Sequence, residues 1–236
     1  MHADVSYYSS IGGRKNNEDS LSLLENGQNL IAVVADGLGG HASGEIASQL
    51  AVKTVIGELI GKRLSENALR KAVDEANRTI IDQAVSNSMK TTIAVAWIEN
   101  RHALFATVGD TRIYHFRNGE IIFQSLDHSV SQLAVMAGEI SASQIRGHRD
   151  RNKLVQALGS KDRVKPAVAE AEPAPHDAVL VCSDGFWENI IENEMCRCLA
   201  QSGSAKEWLE KMKETVESAA PPNGDNHSAV ALIITK

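Results

Sequence analysis

Five carboxylate-bearing stretches share one form. "VVADG" (33–37) and "LVCSDG" (180–185) each run from an apolar stretch into Asp-Gly, at Asp36 and Asp184. "ATVGD" (106–110) ends a third apolar stretch in Asp110. "NGDN" (223–226) sets Asp225 just before the last apolar stretch, and "NNEDS" (16–20) sets Glu18 and Asp19 before an early one. Taken singly, Asp-Gly after a strand is turn chemistry, because Asp bonds its own backbone and Gly supplies positive φ. Five such places in a chain with few other turn signatures point to a second use. Gathered at one end of a sheet, the carboxylates would repel one another unless a cation lay among them. Oxygen ligands without a matching set of His or Cys select magnesium or manganese over zinc. Two such ions roughly 3.5–4 Å apart lower the pKa of a shared water towards neutrality. Arg14, four residues before Glu18, carries the planar donor fork that suits a phosphate.

The glycines of "GLGGH" (37–41) invite a nucleotide-loop reading. That reading is weak: no Lys-Ser/Thr follows them, and Asp36 would repel a phosphate with no cation between.

The elements that must carry these residues can be read from periodicity. Runs rich in Val, Ile and Ala at 30–36, 91–99, 103–110, 178–184 and 228–235 are too short for buried helices and end in turn residues. They read as strands covered on both faces. "TRIYHFRNGEIIFQS" (111–125) reads as a hairpin turning on Asn118-Gly119. Three helices are expected. The first spans 43–61, with Val52, Ile56, Leu59 and Ile60 on one stripe. The second spans 65–85, with Leu69, Ala72, Val73, Ala76, Ile80 and Ala84 on one stripe and Ser65 as N-cap. The third spans 204–220. The first two are adjacent and do not alternate with strands. Grouped strands with paired helices predict an α+β fold, with helices layered on mainly antiparallel sheets.

Composition narrows the function. The chain has 236 residues, 43% of them apolar, and no linker, charge block or repeat divides it, so one domain over 1–236 is expected. A formal charge of −6 argues against nucleic acid as a partner. The apolar runs fall far short of the roughly 20 residues of a membrane span. The N-terminal segment has no basic stretch followed by an apolar one, so no signal peptide is expected. Three sparse cysteines fit a reduced, cytoplasmic setting. Cys196 and Cys198 form C-x-C without further ligands nearby and read as helix residues. Cys182, inside an apolar run, reads as an inert core residue.

In order and spacing, these residues resemble the metal-dependent protein phosphatases of the protein phosphatase 2C type. The resemblance covers nearly the whole chain. It rests on "RKNNEDS" (14–20), "VVADGLGGHASGE" (33–45), "TTIAVAWI" (91–98), "ATVGDTRIYHFRNG" (106–119), "LDHSVSQL" (126–133), "RNKLVQALG" (151–159), "VLVCSDGFWE" (179–188) and "GDNHSAVALII" (224–234). The double-glycine second motif is similar to that of short bacterial members. The resemblance implies a four-layer α-β-β-α sandwich, with two mainly antiparallel sheets flanked by helix pairs.

It also implies roles. Asp36 would bridge two Mn2+ or Mg2+ ions, with the Gly37 carbonyl as a further ligand. Asp184 and Asp225 would complete one shell, and Glu18 and Asp19 would serve the other ion, partly through water. Asp110, with Asp184, would hold a weaker third ion. Arg14 would grip the phosphate. The implied reaction is hydrolysis of phosphoserine or phosphothreonine on proteins by direct attack of a metal-activated water, opposing a serine/threonine kinase in bacterial signalling. No C-x5-R loop offers a thiolate nucleophile, in keeping with that route. A monomer is expected.

The chain departs from the family at two points. Some animal members carry His after the Asp-Gly as a proposed general acid, and this chain has Leu38 there. The proton donor is then a metal-bound water or His41, and the residues leave that choice open. "GDTR" (109–112) stands where "GDSR" is commoner. For His128 a loop-ordering hydrogen bond and a chemical role are both open. Residues 131–147 correspond to the family's flap, or else to a pair of short surface helices. Two other functions compete: a non-catalytic phosphoprotein-binding member of the fold, and a nuclease or nucleotidase. The first would lack ligand carboxylates, and none is missing. The second would need a basic, aromatic groove, and the acidic chain has none.

Overall fold

The computed structural model describes residues 2–27, 29–39, 43–84, 89–160 and 163–235. Its strands are β1 (Ala3–Ser10), β2 (Asp19–Asn26), β3 (Asn29–Leu38), β4 (Lys90–Thr91), β5 (Ile93–Glu99), β6 (His102–Val108), β7 (Arg112–Arg117), β8 (Glu120–Gln124), β9 (Ala167–Ala171), β10 (Ala178–Cys182) and β11 (His227–Ile234). Its helices are α1 (Ser43–Leu59), α2 (Glu66–Gln83), α3 (Val130–Met136), α4 (Asp184–Trp187), α5 (Glu192–Ala200) and α6 (Ala205–Ala219). One antiparallel sheet has the order β1-β11-β10-β7-β8. The other has the order β2-β3-β5-β6-β9, with β4 pairing β3.

Side chains alternate across each central strand, and that alternation builds the layers. In β3, Leu30, Ala32 and Val34 join Val179 and Val181 of β10 and Val230 and Leu232 of β11 in a core between the sheets. Ile31, Val33 and Ala35 face the opposite way and meet α1 and α2 in a second core. Leu180, Cys182, Ala229 and Ala231 likewise face α4, α5 and α6 in a third. Three cores between four layers make the α-β-β-α sandwich, with both faces of each sheet covered.

The hairpin is as expected: β7 pairs β8, and Asn118 (φ 53°) and Gly119 (φ 80°) supply the two positive φ values of its turn. The Ser65 hydroxyl caps α2, accepting from the Ala68 N–H at 3.3 Å. Ser204 caps α6 in the same way. Cys182 is a buried core residue, Cys196 and Cys198 lie on α5, and all three are free thiols. Burial pushes the Cys182 thiol up, which makes it inert. Among the described residues no helix is long and apolar enough to cross a membrane.

One expectation needs correction, and two strands carry no signal in the sequence. The stripe of α1 is rotated: Ile60 lies past the helix end and is exposed, and Ile56 is only partly buried. The face towards the sheet is led by Ala47, Ser48, Ala51, Val52 and Val55. Small side chains let the helix lie close over β3, whereas a stripe chosen for bulk alone misses them. The strands β1 and β9 carry no clear apolar run, because both are sheet edges and partly exposed. Segment 131–147 does form two short helical pieces, α3 and a 3-10 helix at Ala142–Gly147. Arg146 pins the second piece by donating to the carbonyls of Trp187 and Ile190 and to Glu192.

Beneath the end of the sheets where β6 turns into β7 lies a buried ion pair. The Arg112 guanidinium makes two 2.7 Å bonds to the Asp127 carboxylate, donates to the Tyr114 hydroxyl, and stacks 3.4 Å from the Trp187 ring centroid. Removing one partner of such a pair strands a buried charge. Asp127→Asn is therefore expected to destabilise the fold by about 3–5 kcal/mol. Urea midpoints at unchanged m would measure this, and a loss of under about 1 kcal/mol would show the pair to be dispensable.

Candidate active site

The site grows from strand ends. Asp36 lies within β3, which runs two residues further and pairs with β4 through Gly37 and Leu38. Its backbone is held from three sides. The Asp36 N–H donates to the Thr92 hydroxyl at 3.0 Å, and the Asp36 carbonyl accepts from the Thr91 hydroxyl at 2.7 Å and the Thr92 N–H at 2.8 Å. Asp19 faces Asp36 across the β2–β3 pair, and one of its oxygens accepts from the Ser183 hydroxyl at 2.8 Å. Asp110 follows β6, and the Trp187 indole donates to its carbonyl at 2.8 Å. Asp184 opens α4 directly behind β10. Asp225 precedes β11 and accepts from the Asn226 N–H at 2.8 Å.

These elements converge on one cleft of about 490 Å³. Arg14, Glu18, Asp36, Gly37, Asp110, Asp184 and Asp225 all line it. Asp19 does not; it sits buried beside Asp36. His41 lies outside the described residues. Gly37 answers a steric need, since a Cβ there would stand 2.2 Å from the Gly44 carbonyl oxygen and 2.7 Å from that of Glu18. The glycine thus lets the start of α1 and the Glu18 backbone close on the end of β3.

Carboxylate oxygens of Asp36, Asp110 and Asp184 lie within 4.8 Å of one another. Among the described residues, no Lys or Arg forms an ion pair with any of the three. One oxygen each of Asp19, Asp110 and Asp184 is buried without a hydrogen-bond partner. Burial and mutual repulsion act together on this cluster. Asp36 and Asp184 are held well above the usual carboxylate range, Asp36 by burial and then by Asp184 and Asp19, and Asp184 by burial and then by Asp110 and Asp225. Burial, then Asp127, pushes Asp110 up to about 7, and burial pushes Asp19 up to about 6 against hydrogen bonds from Ser228 and Ser183. Orphaned, crowded oxygens at the floor of a cleft fit a hard divalent cation, and among the described residues no His or Cys lines the cleft to favour zinc.

Sequence reasoning assigned no role to several positioning residues. Thr91 and Thr92 occur in a quoted motif, but a threonine pair at a strand start carries no signal of its own. The Thr111 hydroxyl, in the "GDTR" stretch, bonds the Thr92 hydroxyl. His128 orders a loop: its Nδ1 accepts from the Gly109 N–H at 3.1 Å, its own N–H donates to the Gly109 carbonyl, and burial favours the neutral ring.

The raised carboxyls set a pH dependence. Their folded pKa values exceed the unfolded 3.8, so without metal the folded state binds more protons, and stability falls as pH rises through about 4 to about 7. In chelator, the melting temperature is expected to be lower at pH 8 than at pH 5.5. Asp110→Asn should raise it at pH 8 and flatten the slope. Manganese should raise the wild-type value most at pH 8, where the carboxylates are charged. A flat profile in chelator, or no response to manganese, would refute the electrostatic account.

The protein phosphatase 2C family model matches residues 8–226. The serine/threonine phosphatase stp of Listeria monocytogenes is 32% identical over 231 residues, spanning 93% of this chain and 90% of the relative. The solved serine/threonine phosphatase of S. agalactiae superposes with a TM-score of 0.88 at 26% identity, over all of both chains. The catalytic domain of the serine/threonine protein phosphatase PstP, solved in complex with 2 manganese ions, superposes with a TM-score of 0.83 at 24% identity, over 99% of both chains. With its carboxylate cluster, sandwich fold and motif order in agreement, the chain belongs to the protein phosphatase 2C family, among the bacterial serine/threonine protein phosphatases.

Proposed function

We propose that this cleft hydrolyses phosphoserine and phosphothreonine on proteins, with two manganese or magnesium ions as cofactors and room for a weaker third. The observation that carries the reading is the cluster of Asp36, Asp110 and Asp184, whose oxygens converge within 4.8 Å without a cationic side chain among them. Asp36 would be shared between the ions; the Gly37 carbonyl, Asp184 and Asp225 would serve one of them, and Glu18 and Asp19 would serve the other. Asp110 with Asp184 would hold the third. Manganese in the PstP catalytic domain accords with these hard oxygen donors. Such ions supply Lewis-acid chemistry: they make water acidic near neutral pH and neutralise phosphate charge.

The chain's own residues do the rest. Arg14 stands at the cleft with its guanidinium 2.7 Å from Asp225, both partly exposed, where it can turn to the oxygens of an entering phosphate. Leu38 and Leu154 line the same cleft and limit water around the phosphate. The described cleft holds no thiol, since Cys182 faces a core and the other cysteines lie on α5. That agrees with direct attack by water rather than a phosphocysteine route. We read the chain as one catalytic domain with α3 and the following 3-10 helix as its flap. It would act as a cytoplasmic monomer on the substrates of a partner serine/threonine kinase.

On a phosphothreonine peptide, turnover is expected with manganese and not with chelator. Asp36→Asn should abolish it while the circular dichroism spectrum stays that of the wild type. Arg14→Ala should lower kcat/KM roughly 10- to 100-fold, the worth of a charge-assisted contact of about 1.5–3 kcal/mol. Equal turnover with manganese and chelator, or none with either, would overturn the reading.

A further inference from the structure

The sequence places two glycines directly before Arg14, and the metal and phosphate roles do not account for them. The structure shows what they meet. A Cβ on Gly12 would stand 2.2 Å from the Asp225 carbonyl oxygen, and one on Gly13 would stand 2.2 Å from that of Pro222. The Gly13 N–H donates to the Gly224 carbonyl at 3.0 Å. The loop that carries Arg14 therefore lies backbone to backbone on the loop that carries Asp225. Gly12 also has φ +57°, where other residues are strained.

One side chain bolts the two loops together. Asn226, 4% exposed, donates from Nδ2 to the Ile11 carbonyl at 2.8 Å and to the Asn16 carbonyl at 3.0 Å. Its Oδ1 accepts from the Glu18 N–H at 2.8 Å. The reverse amide orientation would set an oxygen against two carbonyls, so the network itself selects this one. The three contacts bracket Arg14 on both sides, at positions 11, 16 and 18. Asn226 borders the cleft, and these three side-chain bonds all go to backbone groups of the 11–18 loop, so through them it acts on the position of that loop.

We propose that Asn226 is a positioning residue: it clasps residues 11–18 so that Arg14 is presented to the phosphate. The proposal rests on Arg14 as the phosphate anchor. A loop freed from the clasp would leave Arg14 able to bind phosphate only after ordering 11–18 first, which weakens binding more than it slows the chemical step.

A double-mutant cycle at saturating manganese tests it on the phosphothreonine peptide. Asn226→Ala should lower kcat/KM about tenfold, chiefly through KM. In an Arg14→Ala background the same change should cost less than about twofold, because the residue it positions is gone. Hydrogen exchange of the metal-free protein supplies a readout independent of catalysis. Amides at 13–18 should exchange at least about tenfold faster in Asn226→Ala, while β3, β10 and β11 keep wild-type protection. Should Asn226→Ala fail to fold, Gly13→Ala probes the same clasp through its clash with Pro222, and the same pattern is expected. An equal cost in both backgrounds, unchanged exchange at 13–18, or faster exchange throughout the sheets would overturn the proposal. A wild-type chain inactive on every phosphopeptide would sink the functional reading alone, and the exchange result would then decide the clasp.

Discussion

Repulsion among carboxylates is the constraint on which the rest of this structure depends. Asp36, Asp110 and Asp184 bring oxygens within 4.8 Å of each other in a poorly solvated place, with Asp19 close behind and Asp225 on the same cleft. A folded chain does not gather such groups for stability, since burial and like charge both work against it. They stay together because each is fixed by its backbone, not by attraction among side chains. The cluster is an expense that a divalent cation would offset, which would link metal affinity to folding stability.

The fixing groups form a layer of modest residues behind the cleft. Threonine hydroxyls and an amide hold the Asp36 backbone, a tryptophan indole holds that of Asp110, and a serine hydroxyl takes one oxygen of Asp19. Trp187 in turn lies against Arg112, which is neutralised by Asp127. A path of direct contacts therefore runs from a buried ion pair to the Asp110 backbone. The sandwich supplies rigidity, and the polar layer supplies aim.

Much of this was legible before any coordinates. The two-faced strands declared themselves as unbroken Val, Ile and Ala runs, because each lies between two apolar layers. The Asp-Gly repeats marked the strand ends where the carboxylates gather. The edge strands β1 and β9 were harder, since solvent on one side dilutes their pattern. The buried stripe of α1 was read from its bulky residues, whereas close packing on a sheet favours the small ones, Ala47 and Ala51. Thr92, Ser183 and Asn226 carried no signal of role, because a hydroxyl or amide near a turn is common and only its partner gives it meaning.

Local chemistry along the chain thus determined the residue types, the strand and helix periods, and which carboxylates stand at strand ends. These follow from neighbours in sequence, where pattern and propensity act. Which carboxylates meet, that Asp19 lies behind the cleft rather than on it, and that residues 11–18 rest on the segment before β11 were decided by tertiary structure alone. The last of these joins positions about 200 residues apart, such as Glu18 and Asn226, and no local pattern encodes a distance between two loops.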